Sequence, residues 1–257
     1  MLLATDIGNT NIVLGGIEND EILFQARIST DRMKTSDQYG VEIKNVLSLF
    51  DVRPEQIEAC IISSVVPPVL NAVAAGIAKT IHRQPMIVGP GIKTGLNIKL
   101  ENPAQVGSDR IVATVGALEE YPAPLILIDL GTATTIEVVD GKRNYVGGCI
   151  IPGVRTSLEA LTRRTAQLPG ISMEKPARVI GKNTVECMQS GVLYGTASML
   201  DGMLDNVEEE LGEKATVVAT GGMAECIVPL CRRKISLEPD VLLKGLNLIY
   251  KKNTRRK

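Results

Sequence analysis

The chain has 257 residues, a formal net charge of −1, 44% hydrophobic and 22% charged residues, no Trp and two Phe. That length buries a core in one large domain or two small ones, and near-neutral charge gives no pull toward nucleic acid or a membrane surface. So few aromatic rings exclude a base-stacking platform, and five cysteines without a C-x-x-C pair, beside the lone His82, exclude a Cys/His zinc site.

The N-terminus carries no charged leader and enters a strand at once. No apolar run approaches the ~18 residues that cross a membrane. Unpaired thiols then suit a reducing cytoplasm. The basic tail Lys251, Lys252, Arg255, Arg256 and Lys257 reads as a solvated end.

Residues 2–8 and 11–17 read as strands joined through a glycine loop, and Asn19-Asp20 turns the chain into a third strand, 21–29. Thr35 or Ser36 caps a helix to about Phe50, with Tyr39, Ile43, Val46, Leu47 and Phe50 on one face. A buried strand over 58–65 leads into Pro67-Pro68, which open a helix to about Ile81. A short strand Met86–Val88, an extended 95–100 and a helical 103–120 follow. The second half repeats the plan with strands 124–130, 133–139 and 144–151, Asp140-Gly141 making the hairpin turn. Helices are expected over 154–164, 183–211, 223–231 and 239–251, with a strand over 215–220. Three antiparallel strands followed by alternating helix and strand, twice over, predict an α/β protein of two duplicated domains with mixed sheets, 1–115 and 116–257, closing over a ligand between them.

The chemistry lies in a doubled loop, Asp6-Ile7-Gly8-Asn9-Thr10-Asn11 and Asp129-Leu130-Gly131-Thr132-Ala133-Thr134-Thr135. Each follows an apolar strand. The carboxylate suits a cation, and the glycine lets backbone N–H groups approach phosphate oxygens. Asp6 suits Mg²⁺, which favours a carboxylate plus substrate phosphates; Asp129 suits a second cation. The competing reading is a tight hairpin whose polar side chains satisfy backbone groups, and for Thr134 and Thr135 plain strand propensity.

Gly107-Ser108-Asp109-Arg110 sits in a helical pattern where Gly and Ser are poor formers. Asp109 suits a general base and Arg110 an anion partner; a helix-start ion pair is the alternative. Thr220-Gly221-Gly222, between strand and helix, lets backbone pass close to a ligand such as adenosine, or simply makes a tight turn. P-loop, Rossmann and protein-kinase signatures are absent, and no histidine triad can be built, which leaves Asp109 the best-placed acid–base group.

The two loops, the duplication and the Thr-Gly-Gly turn resemble the acetate kinase, sugar kinase, Hsp70 and actin superfamily, the actin-like or ribonuclease H-like ATPase fold. Within it the chain is similar to type III pantothenate kinases. The resemblance runs through Ser63-Ser64-Val65-Val66-Pro67, Gly147-Gly148-Cys149-Ile150-Ile151-Pro152-Gly153, Arg164-Thr165-Ala166-Gln167-Leu168-Pro169 and Gly181-Lys182-Asn183-Thr184, besides the blocks already quoted. It implies ATP-dependent phosphorylation of pantothenate, the first step toward coenzyme A. ATP contacts would come from Asp6, Ile7, Gly8, Asn9, Thr10, Asn11, Ile12, Val13 and Thr132. Asp109 would be the proton acceptor and Gly107, Ser108, Asp109 and Arg110 pantothenate contacts. Thr184 would be a contact supplied by the partner subunit of a homodimer, and Asp129 the holder of K⁺ or NH₄⁺. Leu100 departs from the family, many members having an aromatic residue there; it can pack against substrate but not hydrogen-bond to it. Another small-molecule kinase of the superfamily, a non-catalytic nucleotide-binding regulator and an actin-like filament protein are the alternatives.

Overall fold

A computed structural model describes residues Met1–Thr254; Arg255, Arg256 and Lys257 of the basic tail lie outside the described residues. The elements run β1 (Leu2–Ile7), β2 (Asn11–Glu18), β3 (Glu21–Ser29), α1 (Ser36–Leu49), β4 (Ala59–Ser64), α2 (Pro67–Ile81), β5 (Met86–Ile87), β6 (Asn97–Ile98) and α3 (Ser108–Glu120). They continue with β7 (Leu125–Leu130), β8 (Ala133–Val139), β9 (Asn144–Pro152), α4 (Val154–Arg164), α5 (Thr184–Leu211), β10 (Thr216–Thr220), α6 (Ala224–Ile227), β11 (Ser236–Leu237) and α7 (Val241–Thr254).

The duplication is explicit in the strand orders, β3-β2-β1-β4-β5 in one sheet and β11-β10-β7-β8-β9-β6 in the other. In both, a three-strand antiparallel meander meets two parallel strands, so β7, β8, β9, β10 and β11 repeat β1 to β5. Parallel pairing needs a crossover connection, which α2 supplies after β4. The second sheet has one strand more: β6 adds in parallel beside β9.

Local sequence accounts for most helix ends. Thr35 caps α1 in a capping box with Gln38, and Asn183 caps α5 through the N–H of Glu186. Gly212, in the left-handed region at φ 74°, closes α5. The helix expected over 103–120 is broken. A single 3-10 turn, Pro103–Gln105, is followed by extended backbone at Val106 before α3 starts at Ser108. The short helix expected over 223–231 likewise divides into α6 and a 3-10 turn, Val228–Leu230.

The chain forms two compact units. The first comprises Met1–Leu96, Glu101–Glu119 and the chain from Asp240; the second comprises Asn97–Leu100 and Glu120–Pro239. The boundary expected at 115/116 thus falls inside α3, and two segments change sides for identifiable reasons. β6 joins the second sheet through its ladder to β9, reinforced by Asn97 Nδ2 donating to Asn144 Oδ1 at 2.6 Å. α7 joins the first unit because Leu243, Leu246 and Ile249 bury against Leu2, Ala4, Ile61 and Val112. Strand alternation explains how β1 serves two cores: Leu3 and Ile7 face α1 and α2, and Leu2 and Ala4 face the opposite way. The second unit has its own core, where Ile126, Ile128 and Ile136 meet Leu193, Leu200 and Leu204 of α5.

Candidate active site

In the first unit, Asp6, one residue before the end of β1, is a carboxylate 6% exposed, paired in register with Val13 of β2 and Ser63 of β4. The turn after it is closed by Gly8 N–H donating to Asn11 O at 3.0 Å. Its outer side is held by Thr30: the hydroxyl donates to Gly8 O at 2.7 Å and the N–H to Thr10 O at 3.0 Å. Asn9, Thr10 and Asn11 are exposed, whereas Ile7 and Ile12 are buried in the core. The loop residues can therefore meet a ligand with their side chains, and the isoleucines brace the turn.

Asp109 reaches the same end of the same sheet. Ser63 and Ser64 close β4 beside Asp6-Ile7, and the Ser108 hydroxyl lies 2.9 Å from Ser63 Oγ. Asp109 follows in the first turn of α3, half-buried, where Oδ1 accepts the N–H of Arg110 at 2.7 Å. A β-carbon on Gly107 would lie 2.5 Å from that oxygen, so any larger residue there would displace the carboxylate. One strand end thus brings together a carboxylate suited to a cation, a polar loop suited to phosphate and a second carboxylate suited to a proton. Cys60, on the same strand, adds no nucleophile, because burial pushes its thiol up to about 12.

The second loop repeats this geometry with different neighbours. Asp129, one residue before the end of β7, is in register with Thr135 and with Thr220 of β10, the counterparts of Val13 and Ser63. Gly131 N–H donates to Ala133 O at 3.1 Å. Thr132 is exposed, and its carbonyl accepts Gly153 N–H at 3.2 Å and the Thr156 hydroxyl at 2.8 Å, which fixes the start of α4 against the loop. Gly221, at φ +93°, packs on the Asp129 carboxylate, and Met223 N–H donates to Leu130 O at 3.2 Å. Of the two threonines weighed against strand propensity, Thr134 is 1% exposed with no hydrogen-bond partner for its hydroxyl, and Thr135 is half-buried.

Two expected substrate contacts lie elsewhere in the second unit. Leu100 follows β6, with its side chain near Gly147. Thr184, exposed in the first turn of α5, lines a groove of about 570 Å³ with Pro152, Val154, Leu161, Cys187 and Gly191. Among the described residues no three His, Cys, Asp or Glu side chains are grouped to hold a metal. Among the described residues no helix is long and apolar enough to cross a membrane.

Sequence reasoning gave no role to Thr30, whose bonds to the loop depend on the β2–β3 register, or to Gly153, whose neighbours come from a distant turn. A β-carbon at Gly153 would stand 2.3 Å from Thr132 O.

A family model described as type III pantothenate kinase matches residues 2–206. A type III pantothenate kinase of an Exiguobacterium species is 46% identical over 255 residues, covering 99% of this chain and 100% of that protein. Its namesake in Brevibacillus brevis is 47% identical over 253 residues, covering 98% and 99%. Among solved structures, component A of (R)-2-hydroxyglutaryl-CoA dehydratase from Acidaminococcus fermentans superposes with a TM-score of 0.58 at 14% identity, over 99% of both chains. MreB 5 of Spiroplasma citri, bound to AMPPNP, gives a TM-score of 0.58 at 10% identity, over 98% of this chain and 96% of that one. The chain shares its fold with both structures.

Proposed function

The chain belongs to the type III pantothenate kinase family, and from that premise we propose that it transfers the γ-phosphoryl group of ATP to the primary hydroxyl of pantothenate, the entry to coenzyme A synthesis. The match over residues 2–206 carries this reading.

Phosphoryl transfer depends mainly on positioning and charge neutralisation. The Gly8–Asn11 turn presents backbone N–H groups and amide and hydroxyl side chains to phosphate oxygens, with Asp6 suited to Mg²⁺ and Thr132 to the nucleotide from the second loop. When bound, Mg²⁺ offsets phosphate charge and orients the transferred group. Asp129 would hold the monovalent cation, K⁺ or NH₄⁺. Asp109 orients the pantothenate hydroxyl and takes its proton as the oxygen attacks phosphorus. Arg110 pairs with the pantothenate carboxylate.

Thr184 and Leu100 complete the substrate contacts in this proposal, Thr184 from the partner subunit of a homodimer. An exposed apolar residue in its groove supports that assembly: Leu161 is 40% exposed. The ATP supply and five unpaired thiols suit the cytoplasm.

Release of ADP coupled to a spectrophotometric reporter, with pantothenate compared with other hydroxyl compounds and Na⁺ replacing K⁺, tests the reading. Pantothenate-specific, K⁺-dependent turnover is expected. ATP binding without turnover would instead indicate a regulator, and turnover with another alcohol a different kinase.

A further inference from the structure

Ser108 stands next to the proposed base, and its hydroxyl has no capacity left for a ligand. A serine hydroxyl offers one hydrogen and two lone pairs. The Ser108 hydroxyl donates to Ser64 O at 3.0 Å and accepts Ser64 N–H at 3.1 Å. The remaining lone pair meets the Ser63 hydroxyl at 2.9 Å. All three valences end on β4. Ser63 is fully buried, and its backbone sits in register with Asp6.

Resting on the pantothenate kinase reading, we infer that Ser108 is a positioning residue: it locks the first turn of α3 to the end of β4 and thereby fixes Asp109, rather than touching the substrate. The arrangement explains why a serine, a poor helix former, opens α3 directly after Val106 and Gly107 in extended or turn backbone. Without the lock, α3 remains folded through its apolar face, where Val112, Ala113 and Ala117 are buried, while its first turn gains freedom. A displacement of about 1 Å at a catalytic group costs up to roughly 10²-fold in rate.

The test is a kinetic cycle of Ser108→Ala, Ser63→Ala and the double variant, with kcat and KM for pantothenate and ATP, and a thermal melt of each. Ser108→Ala is expected to lower kcat by roughly 10–100-fold, with KM for pantothenate within about twofold, because a misplaced base is felt only in the transition state. Ser63→Ala is expected to lose less, since the bonds to Ser64 remain, and the double variant to match Ser108→Ala, because the two serines act as one unit. A raised KM with kcat preserved would make Ser108 a substrate contact and overturn the inference. So would unchanged kinetics, multiplying effects of the two changes, or a loss of rate that matches the fraction unfolded. In each of those cases wild-type turnover of pantothenate leaves the proposed function standing. A wild-type protein without pantothenate-dependent turnover overturns both.

Discussion

A β-carbon on Gly221 would stand 2.4 Å from Oδ1 of Asp129. The backbone there is at φ +93°, a region that side-chain-bearing residues rarely adopt. Gly221→Ala therefore meets strain and a blocked carboxylate together. The expected result is a loss of about 1–3 kcal/mol in stability and weaker activation by K⁺, read from a thermal melt and from kcat titrated against K⁺. An unchanged K⁺ response in a destabilised variant would separate Asp129 from the cation.

Asp109→Asn retains shape and loses the basic oxygen. We expect an intact fold and kcat lowered by roughly 10²–10⁴-fold, the usual contribution of a general base. Circular dichroism and steady-state kinetics check the two halves of that statement, and near-wild-type kcat would remove Asp109 from the role. Gly107→Ala should also lower kcat, since the added carbon would lie 2.5 Å from the same carboxylate.

Helix α3 is seated on α7 by two glycines. A β-carbon on Gly116 would fall 1.9 Å from Val241 O, and one on Gly245 would fall 2.0 Å from Val112 O. Neither backbone can give way locally, so Gly116→Ala must push the helices apart. The expected cost is about 1–3 kcal/mol, the range for overpacking, seen as a lower denaturant midpoint. A midpoint equal to wild type would refute the contact.

Glu208 ties stability in acid to a buried carboxylate. Burial pushes its carboxyl up, but hydrogen bonds from Arg233 at 2.6 Å, Lys214 at 2.7 Å and the Ala215 N–H outweigh that and hold it at about 2. The folded value lies below the ordinary 4.5, so the folded state binds fewer protons. The contribution is complete above about pH 4.5 and is lost as pH falls toward about 2. Glu208→Gln should lower the melting temperature at pH 7 and flatten its decline between pH 5 and pH 2; parallel curves for the two proteins would contradict this.

The sequence was most legible where the determinants are local. Alternating apolar residues and the Asn19-Asp20 and Asp140-Gly141 turns marked both meanders, and Thr35 marked the start of α1. Asp6 and Asp129 were legible as equivalents because the same strand–glycine pattern precedes the same hairpin. Long-range choices were not. Residues 95–100 read as extended, but nothing in them names β9 as the partner. The last helix shows an apolar face without saying which sheet it covers. Ser108 illustrates the limit best. In the sequence Ser108 sits inside a helical pattern as a poor former and, by resemblance, a substrate contact; only the nearness of β4, 44 positions upstream, shows what its hydroxyl bonds to.

The seat of α7 on the first sheet also bears on how the chain folds as it is made. Strands β1 and β4 emerge from the ribosome early, yet the cluster that Leu2, Ala4 and Ile61 form with Val112 is completed only when Leu243, Leu246 and Ile249 are synthesised. By then every strand and helix of the second unit has been translated. Domains commonly complete in the order of their synthesis; here the last segment of the first unit is made after the whole of the second. The second unit can close its core while the first still waits for its last helix, with one face of its sheet open to chaperones or to aggregation.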